Sequence, residues 1–366
     1  MKNFRWKLAA LGAAVVLAAC GGGSSADGPS NKVGINAMVS FGDSLSDIGS
    51  YNVGSIAGLG AATGGAGTFT VNDTTGGQIW TQRIAALLPV ATTCAAQTGM
   101  SPNIPGLSGA SATAKPGCTN YAQGGSRVSN PAGVQSVLLQ GPPVNQYNLG
   151  FTTKPVVDQM TAHLTAAGGS YTGKELVTVL AGANDVFMEL ASVAAGAQTP
   201  QTAVTNVATA GATLGGLIKA MVVAKGAKQV LVINMPYVAG TPFGQHLDAQ
   251  TRGLVDAMTT NFNEQLAAQL AGVPGVVVGD FYSEFKAMLS TPAQYALTNV
   301  TTPVCGPNAL SNPANVPGTS LICNASNVIQ GDISHYAFAD DVHPSPYGHQ
   351  LLSQFASKLM AQAGWL

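Results

Sequence analysis

One hydroxyl, that of Ser44, sits where chemistry would place a nucleophile. The segment Phe41-Gly42-Asp43-Ser44-Leu45-Ser46-Asp47 follows the apolar run Ala37-Met38-Val39, a pattern that delivers a serine from the end of a strand onto a sharp turn. At neutral pH a serine attacks a carbonyl only when a positioned base takes its proton, and the base needs a third group to hold it. Both are offered near the other end of the chain, in Asp340-Asp341-Val342-His343-Pro344. His343 is the candidate base. Two adjacent carboxylates compete to orient it, and chemistry alone does not choose between Asp340 and Asp341.

Residues so far apart must be brought together by the elements between them. Residues 37–41, 176–181, 230–234 and 276–280 are short apolar runs, apolar on both alternations, as strands covered on both faces of a parallel sheet must be. Helix-period segments lie between them at 78–88, 155–166, 202–224 and 248–270. Strand and helix in alternation predict an α/β chain folded as a three-layer α/β/α sandwich with a mainly parallel sheet. Ligands in open sheets of this kind sit at the carboxyl ends of the strands. Asp43-Ser44, Asn184-Asp185, Asn234 and Asp280 all follow or end such runs, so all fall on one edge of the sheet. Asn234 and Asp280 read as turn or cap residues. Between residues 90 and 150 the pattern is weak, and long Gly, Pro and Ser stretches there predict loops over the site.

Composition excludes other classes. Charged residues are only 8% of the chain and the net charge is -1, which leaves no basic stripe to track nucleic acid. A hydrophobic content of 46% is ample for a core. Residues 168–174 fit the phosphate-binding pattern GxxxxGK, but Glu175 stands where a metal-holding hydroxyl belongs and the segment precedes a strand instead of following one. No G-x-S-x-G occurs, so a nucleophile elbow is absent. Apart from Cys20 there are four cysteines, Cys94, Cys118, Cys305 and Cys323. An even number suggests two disulfides; three pairings are open, and local pairing, Cys94 with Cys118 and Cys305 with Cys323, is the expectation. The cysteines show no zinc-site spacing.

At Gly42-Asp43-Ser44-Leu45, Asn120-Tyr121-Ala122-Gln123-Gly124-Gly125, Gly182-Ala183-Asn184-Asp185 and Asp340-Asp341-Val342-His343 the chain resembles the GDSL or SGNH hydrolases, with the four blocks in the family's order. The opening block and the stretch from Asn234-Met235-Pro236 to Thr241-Pro242 look most like that family's bacterial phospholipase, lecithinase and haemolysin branch. The resemblance implies an SGNH, flavodoxin-like sheet of about five strands. It also implies roles: Ser44 as nucleophile, His343 as base, and Asp340 as orienter through the Asp-x-x-His spacing. The oxyanion would be held by the backbone N–H of Ser44, the backbone N–H of Gly125 with Gly124 as the alternative register, and the side chain of Asn184. Asp43 and Asp185 would hydrogen-bond the turns that carry Ser44 and Asn184, and Asp341 would be a solvated or loop-capping residue. His163, His246, His335 and His349 read as structural or exposed.

The N-terminus reads as an address. Residues 1–7 are basic and 8–19 apolar, too short for a comfortable span of about 20 residues. Leu17-Ala18-Ala19-Cys20 resembles the bacterial lipobox, in which the cysteine is acylated and becomes the new N-terminus. The expected organisation is a signal peptide over 1–19, a lipidated Cys20 and flexible tether over 20–34, and a single hydrolase domain over 35–366. Gly21 after the cysteine leans by resemblance toward the outer membrane of the cell envelope. The reading is an exported, membrane-anchored serine esterase acting on small-molecule or lipid esters, with no cofactor, metal or nucleic-acid partner. Its rivals are acyl transfer or carbohydrate deacetylation on the same fold, and a non-catalytic surface-binding lipoprotein. Oligomeric state and acyl preference are not legible.

Overall fold

The computed structural model describes residues 31–73, 78–91, 93–102, 107–139, 149–310 and 319–366. Cys20 and the rest of the expected leader and tether up to residue 30 lie outside them. The folded body runs from Asn31 to Leu366. Its elements in chain order are β1 (Ala37–Gly42), α1 (Gly54–Thr63), α2 (Trp80–Ala85), β2 (Gln97–Met100), β3 (Ala110–Ala114), α3 (Val156–Ala166), β4 (Glu175–Leu180), α4 (Ala183–Ala194), α5 (Pro200–Leu217), β5 (Gln229–Ile233), α6 (Pro242–His246), α7 (Ala249–Leu270), β6 (Val276–Gly279), α8 (Phe281–Ser290) and α9 (Pro346–Gln362).

Strands β1, β4, β5 and β6 make one sheet, in the order β1-β4-β5-β6, and every neighbouring pair is parallel. Alternate side chains of each strand enter different layers. Val39, Phe41, Val177, Val179, Val230 and Val232 pack with residues of α3, α4, α5 and α7. Met38, Leu176, Leu180, Leu231 and Ile233 pack on the opposite face with Trp80 and Ile84 of α2, Phe281 and Phe285 of α8, and Leu352 and Met360 of α9. Burying a Val or Leu side chain of this kind contributes about 2 kcal/mol over leaving it exposed. Helices cover both faces, which is why the strands read as continuous apolar runs.

The expected α/β/α sandwich with a mainly parallel sheet is found, with four strands against the expected five or so. Among the described residues the sheet has four strands, and a short stretch around Asn120 stands where a fifth would run. Ser40 N donates to Thr119 O at 3.0 Å and Tyr121 N to Ser40 O at 2.8 Å, but only Asn120 bridges to β1. The Asn120 side chain turns inward, its Nδ2 donating to Ser46 O at 2.8 Å and its Oδ1 accepting from Ala122 N. The chain then bends at Gly124-Gly125 before a ladder can extend. The stretch expected to be loop holds the antiparallel β2–β3 hairpin, whose second strand is exposed along its length.

The charge-poor surface is covered in part by threonines. On α5, Thr205, Thr209 and Thr213 each donate to the carbonyl four residues earlier, so the hydroxyls are satisfied on the helix itself.

Cys94 is bonded to Cys118 and Cys305 to Cys323. The second bond fastens a site-bearing loop: Cys305 N donates to Ala339 O at 2.8 Å, and Asn72 N donates to Cys323 O at 2.7 Å. The cysteines are 18 residues apart, and closing a loop of that size is worth about 3 kcal/mol. The double variant Cys305→Ser/Cys323→Ser should therefore unfold at a lower urea concentration, by a loss of about 3 kcal/mol. An unchanged urea midpoint would show that the loop is held without the bond.

Candidate active site

Ser44 lies two residues beyond β1 and is buried, the residue being 9% exposed. Its Oγ is 2.9 Å from His343 Nε2. The other ring nitrogen, Nδ1, is 2.8 Å from each oxygen of Asp340. An ionised carboxylate can only accept, so the imidazole proton belongs on Nδ1 and Nε2 is left to accept from the serine hydroxyl. Asp340 also accepts from Ser320 N at 2.9 Å, from Val342 N at 3.0 Å and from His343 N at 2.8 Å. Burial pushes this carboxyl upward, but the adjacent His343 and the convergent hydrogen bonds outweigh it and hold Asp340 well below the ordinary carboxylate range. The loop that carries both residues is pinched shut by Ala339 N donating to His343 O at 2.8 Å.

The turn at Ser44 is gripped from behind. Gly42 N donates to Gln159 Oε1 at 2.9 Å, and Gln159 Nε2 donates to Gly42 O at 2.8 Å. Gly42 has φ +151°, and a Cβ there would stand 2.1 Å from Leu180 O, so no side chain fits between β1 and β4 at this point. Ahead of the serine, the buried carboxylate of Asp47 accepts from Gly49 N at 2.9 Å, Ser50 N at 2.7 Å, Ser50 Oγ at 2.5 Å and Gly124 N at 2.8 Å. One carboxylate thereby joins the serine turn to the loop at 124–126.

That contact separates the two glycines named from sequence. Gly124 N is engaged by Asp47, and its carbonyl accepts from Tyr51 Oη at 2.8 Å. Gly125 has φ +79°, and a Cβ there would collide with Val134 O at 2.1 Å. Among the hydrogen bonds of the described residues, neither Gly125 N nor Ser44 N donates to a protein acceptor. Asn184, in the first turn of α4, is buried and donates one Nδ2 hydrogen to Ser126 O at 2.9 Å. Its second amide hydrogen remains. The parallel pairing of β1 with β4, with Gly42 opposite Leu180, puts the serine turn and the start of α4 at the same sheet edge.

Asp185 does not brace its own turn as expected. It reaches the 126–128 loop instead, with Oδ1 accepting from Arg127 Nε at 3.0 Å and Oδ2 from Val128 N at 3.0 Å. Arg127 also pairs with Glu189 at 2.9 Å. Asp341, expected as a solvated or loop-capping residue, makes no hydrogen bond to His343 among the described residues. Its Oδ1 is buried without a partner and its carbonyl accepts from Phe243 N at 2.9 Å; burial and the adjacent Asp340 push its carboxyl up to about 6. Asp280 caps α8 and accepts from Asn234 Nδ2 at 3.0 Å, the structural part expected of both. His349 and His163 are buried. Sequence reasoning gave no role to Gln159, Ser126, Arg127 or Ser320, and none to the Asp47 carboxylate. Only Asp47 carried a signal, an aspartate placed two and three residues before backbone N–H groups in a turn.

Asp43 accepts from Leu45 N at 3.1 Å through Oδ1, while Oδ2 is buried without a partner. Burial pushes its carboxyl from the ordinary 3.8 up to about 7, against the lowering effect of the Leu45 hydrogen bond and His343. The folded state therefore resists charging Asp43. Its contribution to stability is fully present below the unfolded carboxyl's range, near pH 4, and is lost as pH rises through about 7. Between pH 5 and pH 8 this group should cost on the order of 2 kcal/mol. Urea unfolding of Asp43→Asn should show a correspondingly smaller fall over that interval than the parent; parallel pH profiles would contradict the assignment.

Residues 38–355 match the family model described as GDSL-like Lipase/Acylhydrolase. Over 140 residues the chain is 26% identical to an Arabidopsis thaliana GDSL esterase/lipase, a stretch covering 35% of this chain and 37% of that relative. The chain thus matches little more than a third of the curated relative's length. Because the family match starts in β1 and ends in α9, enclosing the whole central sheet, the chain belongs to the GDSL-like lipase/acylhydrolase family.

Proposed function

We propose that this protein is a carboxylic ester hydrolase that works through a covalent acyl-enzyme on Ser44. The observation that carries the reading is the continuous relay from Ser44 Oγ through His343, at 2.9 Å and 2.8 Å, to Asp340. Ser44 Oγ attacks the ester carbonyl carbon while its proton passes to His343 Nε2. The carbonyl π pair moves onto oxygen. Backbone N–H groups of Ser44 and Gly125 and the free amide hydrogen of Asn184 receive that oxyanion, each such donor being worth about 3 kcal/mol. The engagement of Gly124 N by Asp47 favours Gly125 as the second donor. Collapse expels the alcohol, which takes the proton from Nε2. Water then enters, gives its proton to His343 and attacks the acyl-enzyme, and the second collapse returns the proton to Ser44 as the acid leaves. Asp340 stays ionised throughout and stabilises the imidazolium.

The substrates we infer are carboxylic esters, with lysophospholipids, phospholipids and short- to medium-chain acyl esters as candidates. A panel of p-nitrophenyl esters and lysophosphatidylcholine should be hydrolysed by the parent and at least 1,000-fold more slowly by Ser44→Ala, as expected for loss of a triad member. Equal rates would remove Ser44 from the mechanism. Rapid transfer to an added alcohol at the expense of hydrolysis would replace the hydrolase reading with acyl transfer.

We also propose export to the bacterial envelope with a lipid on Cys20, outer-membrane attachment being favoured. Two disulfides fit an oxidising compartment. Cells fed a tagged fatty acid should label the parent and leave Cys20→Ser unlabelled; equal labelling, or none in either, would overturn the anchor.

A further inference from the structure

A cavity of about 510 Å³ lies at the outer edge of the sheet, between the β2–β3 hairpin and α3. Neither Ser44 nor His343 lines it. Its size falls within the ordinary range for small-molecule sites, about 300–1,000 Å³. Its inner wall includes Gln123 and Gln159. Gln123 N donates to Gly42 O at 3.2 Å and Gln159 grips both sides of the same residue, so the cavity backs directly onto the support of the serine turn.

Two side chains of the lining have polar atoms that the protein leaves unsatisfied. His163 is 6% exposed, and both its ring nitrogens are buried without partners among the described residues. Its ring is boxed by Phe41, Tyr121 and Tyr171, at centroid separations of 5.8, 5.4 and 4.7 Å. Gln97 Nε2 is likewise buried and unpartnered. Orphaned groups of this kind cost roughly 1–3 kcal/mol each unless something occupies the space beside them. Lys115 and Lys154 also line the cavity, no carboxylate residue does, and neither lysine has an ion-pair partner among the described residues. The remaining wall includes Pro116, Ala162 and Ala166, which offer water no hydrogen bonds from their side chains.

We propose that this cavity binds an aliphatic carboxylate of medium chain length. The apolar wall takes the chain, and the ammonium groups with the Gln97 amide and one His163 N–H supply donors to the anionic head. Burial holds His163 below its ordinary pKa, so the ring is a neutral donor–acceptor that adds no net charge to the pocket. Neither Ser44 nor His343 contributes to the site. Its occupant, resting on Gln123 and Gln159, would bear on the wall that positions Gly42.

Calorimetric titration of the purified chain with decanoate, below its micellar concentration, tests this without measuring hydrolysis, so the outcome stands whether or not Ser44 is the nucleophile. Decanoate should bind saturably, and decan-1-ol at least tenfold more weakly, a difference of 1.4 kcal/mol or more. Lys115→Glu, at an exposed position, should weaken decanoate at least tenfold, and Ala162→Trp, which fills the cavity, should abolish binding. Thermal melts verify that both variants fold, and Lys115→Glu carries the test alone if Ala162→Trp does not. Absence of decanoate binding, equal affinity for the alcohol, or unchanged affinity in Lys115→Glu would each overturn the proposal; the last would place the ligand elsewhere, the Ser44 cleft included.

Discussion

Everything at the site depends on how little room surrounds Gly42. Its N–H and C=O are both taken by one glutamine side chain from α3, and the space a Cβ would occupy is filled by the Leu180 carbonyl of the neighbouring strand. A backbone unit held on three sides cannot shift without breaking a parallel strand pair or two buried hydrogen bonds. Ser44 is two residues further on, so its position is inherited from the sheet and from α3. That is a physical reason for a glycine ahead of the Asp-Ser pair: the strand must pass closer to its neighbour than any side chain allows.

Charge is scarce in this chain, and several of its carboxylates are buried around the site. Their environments differ. Asp340 has a cationic partner available and three backbone donors, and these overcome burial. Asp341, one residue away, is pushed up by burial and by Asp340. Asp47 has four donors, yet complete burial still raises it, and Asp185 is raised despite Arg127. Chemistry on the sequence leaves Asp340 and Asp341 as alternatives; among the described residues only Asp340 is hydrogen-bonded to His343.

The legible part of the fold is the part that obeys a period. β1, β4, β5 and β6 are buried on both faces and read as short unbroken apolar runs, and their ends proved to carry Ser44 and Asn184. The edge stretch at Asn120 was not legible as a lone bridge, because its brevity comes from a side chain turning inward and from the glycines that follow. β3 alternates Ala with Ser and Thr but is exposed along its whole length, so its alternation marks no buried face. Helix α4 was hidden because it opens three residues after β4, with no spacer to announce it. At the site, Ser44, His343, Asn184 and Gly125 were named by motif. Gln159 and Ser320 act on partners 117 and 20 residues away, through contacts of which one end is backbone. A backbone group leaves no residue type to read.

The site is made of two halves, each with anchors of its own and one support in common. The serine turn hangs from the sheet through Gly42 and from the 124 loop through Asp47. The loop of Asp340 and His343 is fastened by the Cys305–Cys323 bond, by Ser320 N and by Phe243 N. Among the described residues one hydrogen bond runs between the halves, Ser44 to His343, too weak by itself to align anything. Phe69 and Thr70 supply the mechanical link. The Phe69 ring sits 5.0 Å from the His343 ring and fills the space beside Gly124 where a side chain would go, while Thr70 Oγ1 donates to Pro344 O at 3.0 Å. A single two-residue segment thus touches both the loop at 124–126 and the loop of Asp340 and His343. The geometry of the relay follows from that shared support, and the hydrogen bond between Ser44 and His343 is its consequence.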